Sequence, residues 1–191
     1  MNFSRIPTTL ALVLLLLLPA AMLRADALDG TLEVQSAFIN VNGDVYQLHA
    51  RIRYPLNDEM RAALQEGISL SFSLEAVIER DRRFWFDAEI VKLTLRRELM
   101  FHALSDRYVV RDERTGEQSS HPTLEDALER VGAVDAWPVL VGSQLRGDGD
   151  YRVRVRAGVR RGRLPDALRA LLFWTADWQR ESEWYEWSLP R

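Results

Sequence analysis

The dominant pattern of the chain beyond residue 30 is an alternation of apolar and polar positions. From Ile68 to Leu74 every second residue is apolar and the residues between them are serines, which predicts a β-strand with one buried face. The same alternation returns over 84–98 and over 151–159. Together with the less regular apolar runs, the predicted strands are 31–40, 45–54, 68–80, 84–98, 99–111, 137–141, 151–159 and 183–189.

Turn residues indicate how these strands connect. Asn42 and Gly43 separate the first two strands, and Asn-Gly between apolar runs is a strong hairpin signal. The three long strands between 68 and 111 follow one another directly, so they predict an antiparallel meander. Pro138 has no N–H to donate to a strand ladder, which places 137–141 at a sheet edge.

The predicted helices are few and short. Asn57 and Thr123 are each placed to cap one, over 58–66 and over 124–131. Proline at the favoured first position predicts a third helix from Leu164.

Strands outnumber helices and mostly follow one another without crossover helices. The sequence therefore predicts a mainly β fold (β-rich α+β), an antiparallel immunoglobulin-like sandwich with two or three short helices. No repeat, linker or shift in composition divides the chain after residue 27, so we expect 28–191 to form a single domain.

The first 27 residues have the layout of a secretory signal peptide. Arg5 supplies a basic region, Leu10–Leu18 form an apolar core and Ala25–Ala27 fit a signal peptidase site. We therefore expect cleavage after Ala27 and a periplasmic location. The alternative is an uncleaved helix over 8–23 that tethers the domain to the inner membrane. This stretch is shorter than the roughly 20 apolar residues that a membrane span needs.

Composition excludes several classes of chemistry. The chain has no cysteine, so it forms no disulfide, no thiolate metal site and no lipid attachment at a cysteine. Its 25 basic residues are outnumbered by 28 acidic ones, which gives no reason to expect nucleic acid as a partner. Phosphate-binding and dinucleotide-binding fingerprints are missing from the sequence, as is the G-x-S-x-G motif of hydrolases, and no cofactor is expected.

Basic residues concentrate in one predicted strand and in the turn after it. Arg152, Arg154 and Arg156 recur at period two and would share a face, and Arg160 and Arg161 continue the charge. Arginine forks bind phosphate and carboxylate groups, so the pattern predicts an anion-binding surface for lipid headgroups or an acidic partner. The alternative is a solvated face whose arginines pair with carboxylates of neighbouring strands.

Aromatic residues concentrate near the C-terminus. They are Phe173, Trp174, Trp178, Trp184, Tyr185 and Trp187. In a strand Trp184 and Trp187 point to opposite faces, so some of these rings belong to the core. Trp184 is the candidate for an exposed contact with a partner or a membrane surface, and core packing is the alternative.

The remaining candidate groups are dispersed. His49, His102 and His121 form no close pair in the sequence, so no metal site is predicted. Asp87 and Glu89 would share a strand face, and two carboxylates that flank a scissile bond are the catalytic pair of glycosidases. An envelope-polymer hydrolase that uses carboxylates is therefore the alternative function.

Several short motifs occur in an order that is shared with a known family. They are Tyr54-Pro55-Leu56, Gly67-Ile68-Ser69-Leu70, Arg83-Phe84-Trp85-Phe86-Asp87, Leu104-Ser105-Asp106-Arg107-Tyr108, Leu164-Pro165 and Trp184-Tyr185-Glu186-Trp187. In this order the chain resembles the proteobacterial family called domain of unknown function 4390. The motifs look structural, so the resemblance transfers no catalytic residues. It implies an exported protein and, as a partner, a membrane-bound sensor kinase of the nitrogen-regulation type.

These features together predict a non-enzymatic periplasmic binding or interaction module. Its partner would be an inner-membrane sensor kinase or an anionic envelope component, and peripheral contact with the membrane is compatible with the same surface. The candidate binding residues are Arg152, Arg154, Arg156, Arg160, Arg161 and Trp184.

Overall fold

A computed structural model describes residues 30–80, 88–145, 149–162 and 179–189. The strands in these ranges are β1 (Glu33–Asn42), β2 (Val45–Arg53), β3 (Leu70–Arg80), β4 (Ala88–His102), β5 (Arg107–Asp112), β6 (Gln118–His121), β7 (Ala133–Val141), β8 (Tyr151–Arg161), β9 (Gln179–Glu181) and β10 (Tyr185–Ser188). The α-helices are α1 (Asp58–Gln65) and α2 (Leu124–Gly132), and a short 3-10 helix covers Gly142–Gln144.

The strands form two antiparallel sheets. The small sheet has the order β1-β2-β7, and the large sheet has the order β10-β8-β3-β4-β5-β6, with β9 also paired to β8. A continuous hydrophobic cluster contains buried residues of both sheets and of both helices. The predicted mainly β, sandwich-like fold with an antiparallel meander is confirmed.

Local signals in the sequence fix most of the element boundaries. Asn57 caps α1, since its Oδ1 accepts a hydrogen bond from the Met60 N–H at 2.9 Å, and Thr123 caps α2 in the same way. Gly43 turns the first hairpin with a φ of 62°, a conformation that glycine adopts without steric cost. Pro138 lies on β7, which is an edge strand of the small sheet as predicted.

Several elements differ from the prediction. β4 continues to His102 rather than ending at residue 98, and the turn into β5 is completed by Asp106, whose φ of 52° an aspartate tolerates. The strand β6 was missed because its four residues, all polar, carry no apolar alternation. The predicted strand 183–189 is observed as the shorter β10, and β9, which precedes it, was not predicted.

Some predictions concern residues outside the described ranges. These are the signal peptide over 1–27, the third helix from Leu164, and the aromatic residues Phe173, Trp174 and Trp178. None of the helices that the structure does describe is long and apolar enough to cross a membrane.

The buried Arg97 joins α2 to the large sheet. Its Nη1 donates hydrogen bonds to the carbonyl oxygens of Arg130, Val131 and Ala133 at 2.9, 2.9 and 2.6 Å. Burial lowers the pKa of Arg97, and the nearby charge of Arg130 acts in the same direction. The three carbonyls lie at the C-terminal end of α2, where the helix leaves acceptors without intrahelical donors, so one guanidinium closes the helix and fixes it against β4.

We expect Arg97→Met to lower the free energy of unfolding by about 3 kcal/mol, because it deprives three carbonyls, all at least half-buried, of their donor. Urea denaturation followed by circular dichroism measures the change. The neighbouring Arg96 is exposed and provides the matched control, for which we expect a change below about 0.5 kcal/mol. Equal losses in Arg97→Met and Arg96→Met would contradict the assignment.

Candidate functional site

The outward face of the large sheet carries the predicted site residues. Its central strand, β3, directs Phe72 and Leu74 into the core and Ser71, Ser73 and Glu75 outward. The alternation follows from the two-residue period of a strand. Because β3 pairs with β4 on one side and with β8 on the other, polar residues of all three strands meet on this face.

The arginines of β8 share that face, as their spacing predicts. Arg152, Arg154 and Arg156 are half-buried, and the valines between them are buried. Arg152 lies opposite Glu79 in the register of β3 and β8, and Nη2 of Arg154 lies 3.4 Å from Oε1 of the same Glu79.

Arg156 belongs to a line of alternating charges that crosses four strands. Its two terminal nitrogens contact Glu181 of β9 at 2.6 Å and Glu75 of β3 at 3.0 Å. Lys92 of β4 contacts the other oxygen of Glu75 at 2.6 Å. The hydrogen bond from Lys92 holds the pKa of Glu75 below its usual value, against the partial burial that raises it, and Arg156 adds to the lowering.

Trp184 packs onto two of these arginines. The guanidinium carbons of Arg154 and Arg156 each lie 4.6 Å from the centre of a Trp184 ring, which is cation–π geometry. Trp187 lies on the opposite side of the chain and packs against the core, so the prediction that the two tryptophans face opposite ways is confirmed. Arg154, Arg156 and Trp184 thus contact one another, and both arginines also pair with carboxylates of β3. This is the alternative given above, in which the arginines of β8 pair with neighbouring strands.

Trp184 also lines a cleft of about 460 Å³ beside the start of β1. Leu32 and the partly exposed Tyr185 contribute to the same wall.

The far end of β8 has a different environment. Arg160 and Arg161 line a polar cleft of about 640 Å³, together with two arginines that the sequence did not single out, Arg96 of β4 and Arg111 of β5. The loop after β5 contributes Glu113 and Gly116 to its wall. Four guanidinium groups therefore converge on one concave surface.

Strand register builds the floor of this cleft. Arg160, Ser71, Glu98 and Arg111 stand in one row across β8, β3, β4 and β5. Since neighbouring strands lie about 4.8 Å apart, the row brings together residues that are separated by up to 89 positions in the sequence.

The buried carboxylate of this row, Glu98, is fully engaged by the protein. Its Oε1 accepts a hydrogen bond from the Ser69 hydroxyl at 2.7 Å, and its Oε2 accepts one from Arg111 at 2.5 Å. The charge of Arg111 is thereby balanced within the protein.

Asp112 is occupied by the loop that follows it. Its Oδ1 accepts hydrogen bonds from the N–H groups of Arg114 and Thr115 at 2.9 and 3.1 Å. Its Oδ2 lies 3.9 Å from Nε of the buried Arg97. These contacts shape the wall of the cleft rather than neutralise its arginines.

Arg96 and Arg160 remain available to a ligand. Both side chains are exposed, and within the described part of the chain neither has a carboxylate at ion-pair distance. They are the cations of this face that could meet an anion without first breaking a contact within the protein.

Sequence reasoning missed Arg96 and Arg111 because neither belongs to a recognisable motif. The alternation of β4 does place Lys92, Arg96 and Glu98 on one face, which was the signal that could have found Arg96. The position of Arg111 could not be predicted. Its pairing with Glu98 depends on the turn between β4 and β5, and the predicted strand ended at residue 98, four residues before the observed end of β4.

The other predicted groups do not join this site. His49 lies on β2, His102 ends β4 and His121 ends β6. In the described ranges no three histidine or carboxylate side chains lie close enough together to hold a metal ion. Glu89 lies on β4, and Asp87, its proposed catalytic partner, falls outside the described residues.

Comparison with known proteins identifies the family. A family model described as a domain of unknown function, DUF4390, matches residues 29–188. The chain belongs to this family, and the resemblance carried by its short motifs is confirmed. No curated protein and no solved structure is significantly similar to the chain.

We expect Glu75→Gln to lower the free energy of unfolding at neutral pH by about 1 kcal/mol, because it weakens contacts with both Lys92 and Arg156. The pKa of Glu75 is lowered in the folded state from 4.5, so its contribution is present above that pH and is lost as the pH falls below it. Urea denaturation repeated from neutral pH downward through the acid range should show the two proteins converging.

The matched control is Glu117→Gln, since Glu117 is exposed on the loop before β6. It should leave stability unchanged at every pH. If the free energy of unfolding of Glu75→Gln stayed below that of the parent chain by the same amount at every pH, the loss of the Glu75 charge would not be its cause.

Proposed function

We propose that this protein is a non-enzymatic interaction module of the bacterial periplasm that binds an anionic group in the cleft between β8 and β5. The observation that carries the proposal is the pair Arg96 and Arg160, two exposed guanidinium groups without carboxylate partners in the described part of the chain. Guanidinium groups present a planar fork of donors that matches phosphate and carboxylate oxygens.

The contacts of the cleft carboxylates favour binding over hydrolysis. A general acid must hold a proton and present it to the leaving group. Both oxygens of Glu98 accept hydrogen bonds, from Ser69 and Arg111, and Oδ1 of Asp112 accepts hydrogen bonds from backbone N–H groups. The hydrolase alternative needs a pair of available carboxyl groups, and among the described residues that line this cleft only Glu113 has a carboxylate without such contacts.

The periplasmic location rests on the signal-peptide layout of the first 27 residues. The family resemblance supports an inner-membrane sensor kinase as the protein partner, which would meet the domain where the cleft holds the anionic group. In either the cleaved or the tethered form, the cleft would meet partners at the outer surface of the inner membrane.

Crosslinking in intact cells tests this function. The full-length chain, tagged at its C-terminus, is crosslinked in the envelope and captured, and mass spectrometry identifies both the partner and the mature N-terminus. We expect Arg96→Gln/Arg160→Gln to fold normally and to lose at least about 90% of the captured partner, because each charged contact contributes on the order of 1.5–3 kcal/mol.

The charge-matched control is Arg51→Gln/Arg53→Gln on the small sheet. Both arginines are exposed and form surface ion pairs, with Asp135 and Glu33 respectively, so their loss should change stability little. The control should capture the partner as the parent chain does. Equal capture by the parent chain and by the cleft variant would contradict the proposal.

A further inference from the structure

We infer that the anionic group held in the cleft is a phosphate monoester. This inference rests on the proposed function and deepens it, since a carboxylate partner would satisfy the function without it. It depends on the arrangement of donors along β3 and β8.

The floor of the cleft supplies a hydroxyl. Ser71 is only 6% exposed and lies on the outward face of β3, at the lining of the cleft. Within the described residues its hydroxyl takes part in no hydrogen bond, unlike that of Ser69, which donates to Glu98. The Ser71 hydroxyl is therefore a donor that a ligand oxygen could use.

The two available arginines flank this strand from opposite sides. Arg160 of β8 lies opposite Ser71, and Arg96 of β4 lies opposite Ser73. Each neighbouring strand is about 4.8 Å from β3, a distance that an arginine side chain easily spans. One ligand above β3 can thus accept hydrogen bonds from both forks and from the hydroxyl beneath it.

Glycines on β8 and just beyond it leave room for the serines on either side of Ser71. Gly158 and Gly162 stand two residues before and two residues after Arg160. A Cβ at Gly158 would lie 2.8 Å from the Ser73 hydroxyl, and one at Gly162 would overlap the Ser69 hydroxyl. Any larger residue at either position would displace Ser73 or Ser69, which flank Ser71 in the sequence, so the two glycines help to keep the floor of the cleft in place.

The number of donors and charges favours phosphate over carboxylate. A phosphate monoester carries close to two negative charges at neutral pH and three terminal oxygens, which matches two forks and one hydroxyl. A single carboxylate offers one charge and two oxygens.

The size of the cleft indicates that the phosphate is attached to something. A volume of about 640 Å³ lies within the range of roughly 300–1,000 Å³ that holds small organic ligands. Bare phosphate would fill only a small part of it. The shared chemistry is a phosphomonoester, carried either by a soluble metabolite or by a lipid headgroup.

Isothermal titration of the full-length protein with glycerol 3-phosphate tests the inference. We expect binding that weakens by about tenfold or more in Arg160→Gln and in Arg96→Gln, because each removes a charge-assisted contact. Ser71→Ala, the smallest change, should weaken it several-fold. Arg51→Gln on the small sheet is the control and should bind as the parent chain does, and circular dichroism verifies that each variant folds.

Two further probes identify the chemical group that the cleft binds and the molecule that carries it. Succinate carries two carboxylates but no phosphate, and we expect it to bind at least about tenfold more weakly than glycerol 3-phosphate. Sedimentation with vesicles separates the sources: stronger binding to phosphatidic acid vesicles than to the free ligand indicates a lipid headgroup, and binding of the free ligand alone indicates a soluble one. Phosphatidylglycerol vesicles, whose phosphate is a diester, control for surface charge.

The outcomes distinguish this inference from the proposed function. Equal binding of succinate and glycerol 3-phosphate, or phosphate binding that survives both arginine changes, would overturn the phosphomonoester assignment. If glycerol 3-phosphate does not bind while crosslinked capture still depends on Arg96 and Arg160, the function stands and this inference fails. If neither depends on these residues, both fail.

Discussion

The pairing register of β3 governs how the strands of the large sheet and their side chains are arranged. This strand is hydrogen-bonded on both sides, and its alternation sends Phe72 and Leu74 into the core and Ser71 and Glu75 to the surface. A slip of one residue would bury the charged face and expose the core of the large sheet, at a cost of several kcal/mol. The core therefore fixes the register, and the register in turn fixes which polar residues meet on the outside.

The outward face divides into two regions with different charge balance. Around Glu75 each acidic residue is flanked by basic partners, and the ring of Trp184 covers two of the arginines. Toward the end of β8 the carboxylates are engaged by the protein itself, whereas Arg96 and Arg160 are not paired with a carboxylate in the described residues. The same residue type thus stabilises the sheet in one region and is available for binding in the other.

Adjacent positions on β4 show how closely these two roles are coupled. Arg97 points inward and fixes the end of α2, while Arg96 points outward into the cleft. The loop that walls the cleft is held from behind, because the Glu113 N–H donates to the Arg96 carbonyl at 3.0 Å and Asp112 faces Arg97. The site is built on strands and a braced loop, which limits its freedom to rearrange when a ligand arrives.

Local sequence patterns were enough to predict the elements whose signals lie within a few residues of one another. The serine alternation of β3, the caps at Asn57 and Thr123, the Asn-Gly hairpin and the period-two arginines of β8 each depend on residues a few positions apart, so they could be read without knowing the fold. The family could be recognised from short motifs for the same reason.

Which of those arginines are available for binding could be learned only from the fold. Whether an arginine is paired depends on the strand beside it, and the partners of Arg156 come from Glu75 and Glu181, at distances of 81 and 25 positions along the chain. Predicting the cleft would also have required the correct turn between β4 and β5. If β4 ended at residue 98 instead of His102, Arg111 would no longer pair with Glu98 in the row that contains Arg160. Long-range register is set by burial of the whole core, and no local pattern encodes it.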